Sequence, residues 1–159
     1  MATHFHTLKV KEVKKETPDC VSVSFLIPED LIEIFSFKEG QNITIKKNIN
    51  GEEVRRSYSV CNAPYEKELR VAIKKTTGGL FSSFVNDELK SGDILEIMPP
   101  TGRFNAKPET GNYLAIAAGS GITPIISIIK HTLKTQPQSS FTLIYGNKSR
   151  GSIIFCEDI

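Results

Sequence analysis

The sequence has no tryptophan, two methionines, three histidines and three cysteines in 159 residues. The thiols, Cys20, Cys61 and Cys156, stand far apart. An odd, scattered set does not make a disulfide framework, and it falls short of the four thiolates that an iron–sulfur cluster takes. His4, His6 and His131 have no companions at metal-ligand spacing, so no metal site is expected. No apolar run approaches the ~18 residues of a membrane span. The first residues lack the apolar core of a signal peptide, so the expectation is a cytoplasmic protein without membrane contact. Twenty basic residues against eighteen acidic ones leave a net charge of +2, too small a surplus to argue for nucleic acid or a charged lipid surface.

What remains is a soluble composition long enough to bury roughly two thirds of the unfolded surface. Up to about Phe104 the apolar pattern has period two. Leu8, Val10 and Val13 sit among lysines, and Val21, Val23 and Phe25 alternate with serines. Ile43 and Ile45, then 54–60, 69–73 and 94–97, complete about six short strands separated by turn signals. Asn50-Gly51 between two such patterns signals a hairpin. Leu80, Phe84, Val85 and Leu89 recur at helical spacing. The expectation for 1–106 is an all-β antiparallel barrel with one helix.

After Phe104 the grammar changes. A polar stretch with Pro108 and Gly111 reads as a linker, and 113–118 is a continuous apolar run, as in a strand buried on both faces. Thr123 is expected as N-cap and Pro124 as first residue of a helix with Ile125, Ile128, Ile129 and Leu133 on one face. Lys130, His131 and Lys134 fall near its C-terminal end. A second buried strand at 141–145, a loop at 146–151 and a further helix from Ser152 follow. This is the first half of an α/β doubly wound domain, over 107–159. Two parallel strands cannot cover both faces of such a sheet, so the chain is expected to be a piece of a longer protein.

Four motifs carry chemistry. Gly119-Ser120-Gly121-Ile122-Thr123-Pro124, between strand and helix, lets backbone N–H groups approach a phosphate, although Pro124 stands where a dinucleotide fingerprint has its third glycine. Asn147-Lys148-Ser149-Arg150, after the second strand, has no acid for a ribose 2′-OH but two cations for a 2′-phosphate. Arg56 and Tyr58 share one strand face, where a guanidinium can fork onto phosphate and a ring can lie on a flat cofactor; Ser57 and Ser59 alternate with them. Gly78-Gly79-Leu80-Phe81-Ser82 opens the first helix as an anion cradle. Each also has a plainer reading, as a tight turn, a solvated basic loop, a core aromatic or a flexible hairpin.

In this order and spacing, and with 99–104 between the second and third, the motifs resemble the ferredoxin–NADP reductase superfamily. Stretches at 5–8, 16–19, 51–59, 69–74 and 115–124 look like the reductases that serve multicomponent oxygenases of phenylacetate breakdown. The resemblance implies a flavin-binding barrel and an NAD(P)H-binding α/β domain, with electrons passing through FAD to a [2Fe–2S] centre in a C-terminal domain absent here, and on to an oxygenase. It implies that Arg56 pairs with the FAD pyrophosphate, that Tyr58 stacks on the isoalloxazine and that Ser59 lies near flavin N5. Val71, Ala72, Ile73 and Lys74 would line the flavin tail, and Gly79 to Ser82 would cap the pyrophosphate. Thr123 and the 119–121 turn would face the nicotinamide and its phosphates. Ser59 and Thr123 are thus the expected catalytic positions, and Lys148 and Arg150 would bear on the choice of NADPH. No general base is required for hydride transfer to a flavin.

Two other readings are a flavin-bearing subunit with a different acceptor and a β-barrel module for single-stranded nucleic acid. The last calls for a basic groove with stacking aromatics. Aromatics at 8% and a near-neutral charge disfavour it.

Overall fold

The computed structural model describes residues 4–107 and 109–159; Pro108 of the expected linker and residues 1–3 of the N-terminal reading lie outside the described residues. Six strands, β1 (His6–Thr17), β2 (Cys20–Leu26), β3 (Asn42–Ile49), β4 (Glu52–Ser59), β5 (Leu69–Lys74) and β6 (Ile94–Ile97), form one sheet in the order β4-β3-β6-β1-β2-β5. Every neighbouring pair is antiparallel. At the β3–β4 hairpin Asn50 and Gly51 both take positive φ (53° and 86°), and the Gly51 N–H donates to Asn48 Oδ1 at 3.0 Å. That mirror-image turn matches the strand twist, and asparagine followed by glycine is the pair that tolerates it. The sheet curls so that β4 and β5, its two edges, meet through a Val60–Val71 bridge and a Cys61 N–H to Arg70 carbonyl bond of 2.9 Å. Leu8, Ile43, Ile45, Val71 and Ile97 fill the interior. Helix α1 (Leu80–Asp87) plugs it with Phe81 and Val85, each 1% exposed.

The alternation in β2 predicts one buried face, yet every residue from Cys20 to Phe25 is buried. Cys20 and Ala72 on the outer surface of the barrel pack against Ile122, Ile126, Ile154 and Phe155 of the second half, forming a second apolar core. That half has β7 (Asn112–Ala118) and β8 (Ser140–Gly146) in parallel, joined by helix α2 (Ile122–Thr135).

Three expectations for this half are corrected. The helix starts at Ile122, with Gly121 as cap, so Thr123 and Pro124 lie inside its first turn; the Thr123 hydroxyl donates to the Ser120 carbonyl at 3.1 Å instead of capping. A 3-10 turn at Gly119–Gly121 leads straight into the helix and moves the start forward. The expected helix from Ser152 is absent: one 3-10 turn, Arg150–Ser152, gives way to Ile153 in extended backbone and Phe155 at φ 60°. The left-handed Phe155 breaks a helix, and the break lets Ile154 and Phe155 turn into the second core. Finally, β7 and β8 are covered on one face only. Leu114, Ile116 and Ile144 are 64%, 67% and 54% exposed, because α2 is the only helix among the described residues packed on this sheet.

A sheet with one bare apolar face is the weaker half of the molecule. Hydrogen exchange at dilutions where the protein is monomeric should show residues 113–159 opening at lower free energy than β1 to β6. Equal protection in both halves would contradict this.

Candidate functional site

The barrel closes only at Val60 and beyond, so β4 and β5 splay apart on the near side of that bridge. The gap is a cleft of about 390 Å³. From β4 it receives Arg56, Ser57, Tyr58 and Ser59; from β5 it receives Ala72 and Lys74. Both faces of β4 reach the cleft because β4 is an edge strand there, which removes the obstacle that strict alternation set for Ser59. Ser57 turns its hydroxyl to Thr44 of β3, Oγ to Oγ 2.8 Å.

Tyr58 is half-buried and stacks on Phe81, with ring centroids 5.8 Å apart and planes 26° apart. Burial pushes its phenol up to about 12, with Arg56 acting weakly in the opposite direction. Arg56 is exposed; its guanidinium donates to the Arg55 carbonyl at 2.7 Å, and no carboxylate among the described residues pairs with it. Lys74, by contrast, is 3.4 Å from Asp19, whose carboxyl is held below its usual value by the Thr17 hydroxyl first and by Lys74 second.

The cleft ends at the start of α1. Gly79 caps the helix without a side chain, so the first N–H groups of the helix keep no intrahelical partner. A Cβ on Gly79 would land 2.2 Å from Thr76 Oγ1 and 2.4 Å from Ser82 Oγ. These two hydroxyls are 3.0 Å apart and line the cleft with Leu80 and Phe81. Gly78 is exposed at φ 71° and gives the chain its turn into this cradle. Thr76 heads the stretch 76–83 that opens this helix in the sequence, but the residues expected to bind begin at Gly78. Its signal is positional, because a hydroxyl three residues before a glycine cap can floor the same pocket as the first-turn serine.

From the second half Ser120 and Thr123 complete the cleft. Ile122 belongs to the second core with 0% exposure, while Gly119, Gly121 and Pro124 form the turn and helix start around them. The side chains of Val71 and Ile73 point into the barrel core, so their backbone alone is available on this side. Asn147, Lys148, Ser149 and Arg150 are not in the cleft. They follow the C-terminal end of β8, beside the end of β7 that enters the 119–121 turn, and Tyr145 joins the two ends by donating to the Gly119 carbonyl at 2.8 Å. Both side-chain polar atoms of Asn147 are buried without a partner. Lys148 and Arg150 are exposed.

A barrel with a glycine-capped cradle at its seam, followed by the opening of a doubly wound sheet, defines a two-part flavin and pyridine-nucleotide oxidoreductase module. The family described as "Oxidoreductase FAD-binding domain" matches residues 7–106, and "Oxidoreductase NAD-binding domain" matches 115–159. The chain belongs to this family, the ferredoxin–NADP reductase superfamily of FAD- and NAD-binding oxidoreductases. It is 46% identical over 156 residues to a component of the 1,2-phenylacetyl-CoA epoxidase of Escherichia coli K12, covering 96% of this chain and 44% of that protein. Among solved structures it is similar to the FAD/NAD binding domain of nitric oxide dioxygenase from Vibrio cholerae (TM-score 0.85, 29% identity, 98% of this chain and 68% of that one). It is also similar to phthalate dioxygenase reductase, described as a modular structure for electron transfer from pyridine nucleotides to [2Fe-2S] (TM-score 0.82, 27% identity, 97% and 47%). The chain spans less than half the length of the curated relative.

Tyr58 supplies a pH test. Its folded pKa lies above the ordinary value of 10, so the stability it contributes is present below pH 10 and is lost as pH rises through about 12. Unfolding free energy should fall between these pH values, and Tyr58→Phe should flatten the slope. An identical slope in the variant would place the phenol in water.

Proposed function

We propose that this chain forms the FAD-binding part and the opening of the nucleotide-binding part of an NAD(P)H-dependent flavoprotein reductase, divided at 1–106 and 107–159, with FAD in the cleft between β4 and β5. The observation that carries the reading is the meeting, in that one cleft, of the unpaired Arg56, the half-buried ring of Tyr58, the Gly79 cradle and the start of α2. A side chain at Gly79 would fill the cradle, so the residues present fit a pyrophosphate there.

Bound FAD supplies the chemistry that side chains lack, since it accepts two electrons as hydride and releases them singly. The chain's own residues hold and orient. Arg56 would fork onto the pyrophosphate and the free N–H groups of Leu80, Phe81 and Ser82 would face it, while the Gly79 N–H and the Ser82 hydroxyl, bonded to the Thr76 and Gly79 carbonyls, brace the cradle. Tyr58 offers a ring face and the backbone of 71–74 flanks the flavin tail. Ser59 and Thr123, from opposite halves of the molecule, line one cleft and would stand where nicotinamide meets flavin; Ser120 and the turn glycines would hold the nucleotide phosphates, and Asn147 to Arg150 the adenosine end. The arrangement works by placement and exclusion of water, with no proton acceptor required.

Kinship supports a reading of the acceptor. The E. coli relative is part of an epoxidase, and phthalate dioxygenase reductase serves a [2Fe-2S] centre. On that basis the electrons from this protein go to a [2Fe–2S] centre outside residues 1–159, which have three cysteines where such a centre takes four ligands, and then to an oxygenase of phenylacetate breakdown.

Titration of the apoprotein should show FAD bound more tightly than FMN, because the cradle serves a pyrophosphate; equal affinities would remove the cradle from the site. Arg56→Ala should weaken FAD by roughly 1.5–3 kcal/mol, the scale of a charge-assisted hydrogen bond, and an unchanged Kd would exclude its role.

Nucleotide choice is tested separately, in the protein with its whole nucleotide domain. Lys148→Ala and Arg150→Ala should each raise KM for NADPH and leave NADH nearly unaffected, with roughly a tenfold loss in kcat/KM per lost charged hydrogen bond. Equal effects on both nucleotides would reduce 147–150 to a solvated basic turn.

A further inference from the structure

Helix α2 has an apolar pattern, yet four of its polar residues fall four apart, Thr123, Ser127, His131 and Thr135, of which the first three are covered and Thr135, the last residue, is exposed. Residues at that spacing share a face, and this face is turned toward the barrel. Thr123 is at the cleft. His131 Nε2 lies 3.6 Å from Glu39 Oε2. Between them Ser127 is 0% exposed. Its hydroxyl donates to the Asn62 carbonyl at 2.8 Å and accepts from the Gly40 N–H at 3.4 Å.

These two partners belong to the segments that frame the cleft strands. Gly40 lies two residues before β3, and Asn62 three residues after Ser59. They are linked through Gln41, whose carbonyl accepts the Val60 N–H at 2.8 Å. Asn62 is itself fixed, its Oδ1 accepting the Arg70 N–H at 3.0 Å and its Nδ2 donating to the Glu68 carbonyl. Gly40 sits at φ 76°, where a Cβ would fall 1.7 Å from the Phe104 carbonyl oxygen and 3.1 Å from Ile128 Cδ1. Only glycine lets this loop approach both the connecting segment and α2. The seat that receives Ser127 is therefore rigid on the barrel side.

We propose that Ser127 is a positioning residue: its buried hydroxyl pins α2 to the ends of β3 and β4 and thereby sets where Thr123 and Ser120 stand relative to Ser59 across the cleft. Thr123 is four residues, about 6 Å, along the helix from the pin. A shift of the pin is transmitted to the cleft with little damping, and small errors in donor–acceptor placement cost large factors in rate. The pin rests on the flavin reading above for its consequence and on the structure alone for its geometry.

The test compares, in the protein with its whole nucleotide domain, the wild type, Ser127→Ala and Ser127→Cys, a near match in size with a weaker donor. Ser127→Ala should leave the FAD Kd within about threefold, because the cradle lies wholly in the barrel, while flavin reduction at saturating NADPH slows by about tenfold or more. Ser127→Cys should fall between. Hydrogen exchange should quicken at 119–125 and at Gly40 in Ser127→Ala, without change across β1, β2 and β6. A wild-type reduction rate in Ser127→Ala overturns the proposal. So does full recovery in Ser127→Cys, since volume alone would then suffice. If the wild type binds no FAD, the cleft assignment fails; exchange then decides the pin, and unchanged protection at 119–125 overturns it.

Discussion

The Val60–Val71 bridge is the contact on which the rest of the molecule depends. An open sheet edge leaves backbone groups unpaired, and meeting of the two edge strands of a six-stranded sheet removes part of that exposure. Here they meet over one bridge and the adjoining Cys61 N–H to Arg70 carbonyl bond. Everything before that point on β4 and after it on β5 is left apart, and the opening becomes the cleft. Closure along the full strands would cover the backbone of Ser57 and Ser59 and leave α1 no seam to plug. With less closure the Phe81 ring, now stacked on Tyr58, would face water.

The same closure builds the junction between the halves. Past the bridge the chain turns at Asn62, whose side chain satisfies one backbone group at the end of the following loop, on Glu68, and one in β5, on Arg70, and Cys61 is carried onto the outer surface beside Cys20 and Ala72. The apolar face of α2 settles there. Both thiols act as small hydrophobes: burial pushes Cys20 up to about 12 and Cys61 higher still, so neither is a thiolate near neutrality. Up to His131 the polar stripe of α2 is turned toward the barrel, and only its last turn, with Lys134 and Thr135, goes to solvent as an ordinary surface helix does. Ser127, His131 and Lys130 turn it into a set of ties. Lys130 reaches Asp158 at 2.8 Å and Glu66 at 3.7 Å; its burial opposes the charge, yet these carboxylates hold its pKa above the ordinary value. Exposed pairs of this kind contribute little alone, but the fully buried hydroxyl of Ser127 defines the seat.

The apolar face of β7 and β8 shows the opposite regime. Leu114, Ile116 and Ile144 stand in solvent, although continuous apolar runs in parallel strands are suited to cover on both faces. Stability is therefore uneven, with a closed barrel core on one side and a half-dressed sheet on the other, and the cleft lies where the two meet.

The strands of the barrel are legible in the sequence because alternation of period two, broken by turn residues such as Asn50-Gly51, is a local property. The glycines before α1 and after β7, and the Arg56 to Ser59 run, are legible as local patterns for the same reason, although each alone equally suits a turn or a core aromatic. The start of α2 is displaced by two residues from its local signal: a threonine before a proline is a strong cap pattern, and the preceding 3-10 turn overrides it. The end of the chain reads as helix from composition, whereas burial of Ile154 and Phe155 in the second core requires the break at Phe155. Neither the burial of Ser22 and Ser24 nor the inward turn of Ser127 is readable in advance, because serine in a periodic pattern marks the wet side unless another element covers it. The sequence by itself determined the strands and the two α-helices, short of the start of α2 and the non-helical end of the chain, and which residues carry charge, hydroxyls and rings. Only the tertiary structure decided which of these meet, because a cleft between β4 and β5, faced by a helix more than forty residues away, depends on where a sheet closes and on what packs against its outside.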